Sequence, residues 1–349
     1  MTEQNNSAGP MDAKTASQAL MLENRLRKRY RHLSKWARRT GAGAFRLYDR
    51  DIPEIPLALD FYREAGEPEA EEPRQAGGFA AGSLYRRPYD KDPAEEELWL
   101  AAMEGAIGRA LGIPASALFV RERRRQRGGV GYGPPGGGGP QLREGRIRVR
   151  EGGLQFWVNL SDYLDTGLVL DRRLLRALLR SRAGGKRVLN LFAHTCSFSV
   201  CAAAGGAASV DSVDLSNTYL DWGRRNFELN GLGGKPEFRF LRADVRPLLA
   251  GAERARSRWD LVILDPPTFS NSKMMRGTLD IQRDHGPLLE QCLGLLNPGG
   301  ALVFSANMRG FKLDGGIPQG RPPLDLTENL RDEDFKGRRI PACYLFTSG

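Results

Sequence analysis

The chain has 349 residues, a formal net charge of +10 and four cysteines. That length allows one large or two ordinary domains with a buried core, and the positive balance fits a polyanionic partner. No run approaches the roughly 18 apolar residues of a membrane span, and the polar N-terminus lacks the apolar core of a signal peptide. Cys196, Cys201, Cys292 and Cys343 form no CxxC pair and no metal-ligand cluster. Membrane, secreted and metal-centre classes are set aside, and a cytoplasmic protein with free thiols is expected.

Residues 1–20 are small and polar and read as a disordered tail. Leu22–Arg39 predicts a helix whose stripe is Leu22, Leu26, Tyr30, Leu33 and Trp36–Ala37. Its other faces carry Arg25, Arg27, Lys28, Arg29, Arg31, Lys35, Arg38 and Arg39, with no acid after Glu23. A solvated face usually mixes signs, so one sign alone points to phosphate contact. Arg46–Tyr48, Ile55–Tyr62 and Leu118–Val120 predict strands, and Pro93–Leu111 a second helix. Glu64–Pro73 is an acidic insertion read as a loop. Arg121–Arg127 (RERRRQR) is a second basic cluster, leading into the Gly/Pro stretch Gly128–Pro140, which cannot bury a core. Arg146–Val158 alternates and is expected to pair with Leu118–Arg124 around that stretch. The organisation expected is a tail (1–20), an RNA-binding α+β domain (21–155) and a second domain (156–349).

In the second domain strands and helices alternate. Lys186–Phe192 (KRVLNLF) is a buried-strand run, followed by the turn Ala193–Ser197 and a helix over Phe198–Ala204 ended by Gly205-Gly206. Ser209–Asp214 closes with an acid roughly 20 residues past the turn, the spacing at which nucleotide folds bind a ribose diol. Ser216 caps a helix that Asn230-Gly231 stops, and Pro236–Arg242 leads to Asp244. Gly286–Leu296 predicts another helix and Ala301–Ser305 another strand. This order argues an α/β, doubly wound, mainly parallel sheet. A dehydrogenase would want G-x-G-x-x-G in the first turn, which this turn lacks.

WDLVILDPPTF (Trp259–Phe269) is the sharpest signal. Leu261–Leu264 reads as a buried parallel strand, and Asp265-Pro266-Pro267 forces the chain out of the sheet. Ligands of such sheets sit outside the carboxyl ends of the strands. The corner therefore puts a carboxylate and bare carbonyls where a planar base could dock. It resembles the fourth motif of S-adenosylmethionine (SAM)-dependent nucleic-acid methyltransferases. Together with VNLSDYLDTGLVLDRR (158–173), VLNLFAHTCSFSV (188–200), VDLSNTYLDWGRRNFELNGL (213–232), LDPPTFSNSKMM (264–275), DIQRDH (280–285) and FSANMRGFKLD (304–314), it resembles one family. That family is the RlmK-type 23S rRNA guanine-N7 methyltransferases, the C-terminal half of the bifunctional RlmKL proteins. ENRLRKRYRHLSKWARR (23–39) and RLYDRDIPE (46–54) match the start of the same half.

The resemblance implies a class I, Rossmann-like methyltransferase fold and a free-standing K-type enzyme. Its partner would be 23S rRNA or a large-subunit precursor, with a separate guanine-N2 methyltransferase as a candidate associate. It implies SAM contacts at Phe192, His194, Thr195, Ser197, Asp214, Leu215, Asp244, Val245 and Asp265. Asp171 and Arg173, in the family's T-G-x-x-L-D-x-R pattern, would form a lid. Asp265, Pro266, Pro267, Phe269 and Asn307 would serve the target base, and no metal is implied. Cys196 stands where the family usually has Gly. Cytosine-C5 chemistry is disfavoured because Ala306 occupies the nucleophile's position in related C5 enzymes. Exocyclic-amine methylation, and a non-catalytic RNA-binding assembly protein with a SAM-like fold, remain the alternatives.

Overall fold

The computed structural model describes residues 12–66, 77–87, 89, 91–122, 146–162, 165–272, 274–275, 277–313 and 322–348. The chain divides into two units, residues 1–125 and 126–349.

The first unit contains α1 (Ala13–Thr40), β1 (Ala44–Asp49), β2 (Leu57–Tyr62), β3 (Phe79–Leu84), α2 (Pro93–Leu111) and β4 (Leu118–Glu122). Its sheet runs β1-β2-β3-β4, antiparallel except for the parallel β3–β4 pair. The apolar stripe Leu22, Leu26, Tyr30, Leu33 and Trp36 is buried, as the helical period requires, against Phe45, Phe61 and Met103. Burying each such side chain contributes about 1.5–3 kcal/mol, which fixes the opposite face of α1 toward solvent. The helix begins at Ala13, with Asp12 accepting from the Thr15 amide at 3.0 Å. Residues 13–20 are therefore helical, not part of a tail: Gln18 is buried and accepts from the Trp99 indole at 2.6 Å.

The second unit opens with the hairpin β5 (Arg146–Glu151) and β6 (Leu154–Asn159), turning at Gly152-Gly153. Here the expected pairing is corrected. Arg146–Val158 is two strands that bond to each other, and β4 bonds to β3 instead. The hairpin belongs with the second unit, since Asn226 and Asn230 accept from the Trp157 and Gln155 amides at 2.9 Å each. The division thus falls before the hairpin, not near residue 155. The acidic insertion beyond Gly66, the basic cluster beyond Glu122 and the Gly/Pro stretch lie outside the described residues.

There follow α3 (Arg173–Arg182), β7 (Arg187–Leu191), α4 (Ser197–Ala204), β8 (Ser209–Asp214), α5 (Asn217–Leu229), β9 (Phe238–Arg242) and α6 (Val245–Arg254). Then come β10 (Trp259–Leu264), the short pair β11 (Phe269–Ser270) and β12 (Leu279–Asp280), α7 (Ile281–Gly294), β13 (Leu296–Ala306), β14 (Leu324–Asp325) and β15 (Ala342–Thr347). The seven-stranded sheet has the order β14-β15-β13-β10-β7-β8-β9. The five strands from β13 to β9 are parallel and the two at the other edge antiparallel. This is the doubly wound, mainly parallel sheet expected from the alternation of strands and helices. Leu189, Leu191, Val262, Leu264, Leu302 and Phe304 pack with α6 and α7 on one face. The alternate residue Asn190 faces α4, where it donates to Ser199 at 2.8 Å. Chain order runs from β7 outward to β9, then crosses back to β10, so the topological switch lies between β7 and β10.

Candidate active site

Both signature turns sit at that switch. From β7 the chain passes through Phe192, His194 and Cys196, all with left-handed backbone (φ 58°, 51° and 59°). Each such non-glycine conformation costs on the order of 1–2 kcal/mol, so the surroundings must enforce it. Asp214, at the end of β8, accepts from the His194 amide (2.8 Å) and the Ser216 amide (2.9 Å). A carboxylate offers about four acceptor sites, which leaves two for a diol. Cys196 is fully buried and turns away from the crevice toward α5. A Cβ on Gly223 would lie 2.8 Å from the Cys196 Cβ and 2.4 Å from its Sγ, so glycine at 223 makes room for cysteine at 196.

The other turn residues take different tasks. The His194 ring lies 3.1 Å from the Asp165 carboxylate and edge-on to Tyr219 (4.3 Å). Burial opposes its charge, but Asp165, with Asp214 and Asp265 beyond, outweighs burial and raises its pKa. Thr195 is fully buried; its hydroxyl donates to the Gly167 carbonyl at 2.5 Å and its carbonyl accepts from Asn226 at 3.0 Å. Its side chain is thus committed to the protein, which corrects its expected place at the cofactor. Ser197 is half-buried and begins α4, and Leu215 follows Asp214. Asp244 caps α6, accepting from the Arg246 amide at 3.2 Å, and Val245 is buried in the core.

At the end of β10, Asp265 is half-buried, Pro266 buried and Pro267 half-buried. Arg172 grips Asp265 with a fork, Nε to Oδ2 at 3.1 Å and Nη2 to Oδ1 at 2.7 Å. Burial works against the Arg172 charge; Asp265 and then Asp171 more than offset it and hold its pKa above the ordinary value. Asp171 lies 3.4 Å from Arg172. Phe269, 44 % exposed, follows on β11. Asn307, beyond β13, is exposed; its carbonyl accepts from the Thr268 hydroxyl (3.2 Å) and its side chain from Arg339 (3.4 Å). Asn307 therefore stands beside the Pro-Pro corner because β10 and β13 are parallel neighbours.

Arg173 is the second correction. It is buried and bonds to Asp334 and Asp332 at 2.9 Å each, with Glu151 at 3.4 Å. It anchors α3, and the guanidinium beside Asp265 belongs to its neighbour. Sequence reading missed Arg172, Asp165 and Asn226. Arg172 fills the variable place of the L-D-x-R pattern, so only the turn of the short 3-10 segment Leu170–Arg172 reveals where it points.

The crevice thus brings together Asp165, Asp171, Arg172, His194, Asp214 and Asp265, with Asp244 at the end of the next strand. Carboxylates in excess over cations suit a ligand with a ribose diol and an ammonium group.

Comparison with known proteins agrees. The family described as S-adenosylmethionine-dependent methyltransferase matches residues 141–317. The chain is 43% identical over 321 residues to the ribosomal RNA large subunit methyltransferase K of Neisseria meningitidis, covering 92% of this chain and 85% of that protein. It is 44% identical over 330 residues to the K/L protein of Methylococcus capsulatus, covering 94% of this chain but 42% of that protein. The fold matches the crystal structure of SMU.776 complexed with SAH (TM-score 0.68, 22% identity, 98% of this chain and 83% of that one). The chain therefore belongs to the S-adenosylmethionine-dependent methyltransferases, in the family of the ribosomal RNA large subunit methyltransferases K and K/L.

Proposed function

We propose that this enzyme methylates guanine N7 in 23S rRNA, free or in a large-subunit precursor, in the cytoplasm. The observation that carries the choice of atom is the state of the Pro-Pro corner. Both oxygens of Asp265 are engaged by Arg172, and all four cysteines are buried as free thiols. Bound at the β7–β10 crevice, S-adenosylmethionine supplies an electrophilic methyl group. Guanine N7 already presents an in-plane lone pair, so the protein needs only to align nucleophile and methyl. Carbon-5 chemistry would need a thiolate to add at C6. All four thiols are buried; burial pushes Cys201 and Cys343 up to about 12, and Cys196 and Cys292 further. Ala306, where C5 enzymes carry the nucleophile, is itself buried.

In this reading Asp214 takes the ribose, Asp244 the adenine and Asp265 the methionine end of the cofactor. Exposed Phe269 offers a face on which an extruded base can stack, with Pro266, Pro267 and Asn307 around it. The groove on α1 lined by Asn24, Arg27, Lys28, Arg31, His32 and Lys35 supplies phosphate contacts. No described helix is long and apolar enough to cross a membrane.

The test is product identity. With S-adenosylmethionine and deproteinised large-subunit RNA, the labelled nucleoside should be 7-methylguanosine, cleavable by borohydride and then aniline. Recovery of 5-methylcytidine or an N-methylated exocyclic amine would overturn the N7 assignment.

A further inference from the structure

Residues Asp165–Arg172 form a strap tied to both lips of the crevice. On the β7 side Asp165 pairs with His194 at 3.1 Å, and the Gly167 carbonyl accepts from Thr195 at 2.5 Å. On the β10 side Arg172 holds Asp265. Midway, Gly167 (φ +89°) lies flat against Trp222, whose ring would be 2.3 Å from any Cβ there. The indole is itself fixed, its Nε1 donating to the Trp157 carbonyl at 2.9 Å. The strap cannot lift at its centre without losing that packing.

We propose that Arg172 is a positioning residue that orients Asp265 toward the amino-acid end of the cofactor, so that the strap governs recognition of the methionine moiety and leaves the adenosine moiety untouched. This rests on the reading of the β7–β10 crevice as the cofactor site. Arg172 is only 5 % exposed, and burying a guanidinium is costly where an aliphatic side chain would pack as well. Anchoring of α3 does not require it, because Arg173 and Arg176 already reach Asp334, Asp332 and Glu151. What Arg172 adds is a planar fork that fixes the carboxylate plane of Asp265, which a single point charge cannot do. The trio Asp171, Arg172 and Asp265 keeps one net negative charge, suited to an ammonium group. The adenosine end has its own acids, Asp214 at the end of β8 and Asp244 just beyond β9, so the two ends of the ligand can be tested apart.

Calorimetry with S-adenosylhomocysteine and 5′-methylthioadenosine, which lacks the amino-acid end, separates the two. For Arg172→Gln, S-adenosylhomocysteine affinity should fall about tenfold while methylthioadenosine affinity stays within about twofold of the unaltered protein. Arg172→Lys, which keeps the charge but not the fork, should stay within about threefold of Arg172→Gln, and Asp265→Asn should reproduce the Arg172→Gln pattern, with no further loss in the double variant. Equal losses for both ligands, or unchanged S-adenosylhomocysteine affinity, would overturn the proposal. If Arg172→Gln does not fold, Asp265→Asn decides on the same two ligands. Neither ligand binding to the unaltered protein would sink the cofactor reading beneath it, whereas the choice of RNA atom does not enter this experiment.

Discussion

α1 and α3 are both arginine-rich helices, yet they use their cations in opposite ways. On α1, Lys28, Arg31 and Lys35 stay exposed along an open groove, with Arg27 half-buried beside Glu23. At α3 and the turn before it, Arg172, Arg173 and Arg176 are 5, 5 and 1 % exposed, and each meets carboxylates from distant segments. A hydrated cation can exchange water for phosphate at little cost, so it suits a transient polyanion. A buried one must be neutralised permanently and becomes part of the fold. The same residue type thus stays solvated on one helix and is built into the fold at the other.

The sharpest way to break this contrast is Glu151→Ala. Glu151 pairs with Arg176 and Arg173 in the interior, and removing it strands the Arg176 guanidinium, whereas Arg173 keeps Asp332 and Asp334. Urea unfolding should show a loss of about 3–5 kcal/mol; a loss below about 1 kcal/mol would mean that α3 is as tolerant as a surface helix. The pH dependence has a definite sign. Burial opposes the Glu151 charge, but Arg176 and then Arg173 outweigh it and lower its pKa below 4.5. Its stabilisation is complete above that value and disappears as pH falls through the folded pKa. Acid unfolding should accordingly be steeper in the unaltered protein than in Glu151→Gln.

The converse experiment sharpens the other side. Replacing Arg27, Lys28, Arg31 and Lys35 with glutamine should weaken rRNA binding, each lost phosphate contact flattening the log–log salt slope by about 0.7–0.9. Thermal stability should barely move, as expected of surface changes. An unchanged salt slope would show that this helix face is not the RNA contact. Asp214→Ala, within the crevice, should weaken S-adenosylhomocysteine binding by about 1–3 kcal/mol without unfolding the chain. Calorimetry that finds equal affinity would remove Asp214 from the cofactor site.

The smallest effect is expected at the partly exposed Asp165–His194 pair. Burial opposes ionisation of Asp165, but His194 outweighs it and lowers the carboxyl below 3.8, while Asp165 raises the imidazole above 6.5. The His194 contribution is complete below 6.5 and fades as pH rises through its folded pKa. The Asp165 contribution is complete above 3.8 and fades as pH falls through its own. Asp165→Asn should flatten the melting temperature across that window; identical pH profiles would show that the contact does not contribute.

Much of the site could be read from local pattern. Apolar runs ending in acids or prolines located β7, β8 and β10, and Ser216 was recognisable as the cap of α5, where it accepts from the Tyr219 amide at 3.3 Å. The corner Asp265–Pro267 and the acids Asp214 and Asp244 stand at the strand ends where the run boundaries place them. The hairpin was misassigned because an alternating stretch pairs equally well with either neighbour. Gly152-Gly153 was the available turn signal, and its positive φ angles (57° and 80°) allow the tight reversal.

What the sequence by itself determined is therefore whatever repeats or terminates locally: the alternation of strands and helices, their approximate bounds, and the carboxylates that close the strands. Only the tertiary structure decided which arginine serves Asp265, since Arg172 and Arg173 are chemically identical and adjacent. Their partners lie 93 and 161 residues away in the chain and become neighbours only once the sheet is assembled. It likewise decided that Cys196 could replace a small residue, because the space it needs is provided 27 positions later by Gly223. Periodicity and turn chemistry act over a few residues, whereas ion pairing and close packing act through space, where the order of strands in the sheet sets the distances.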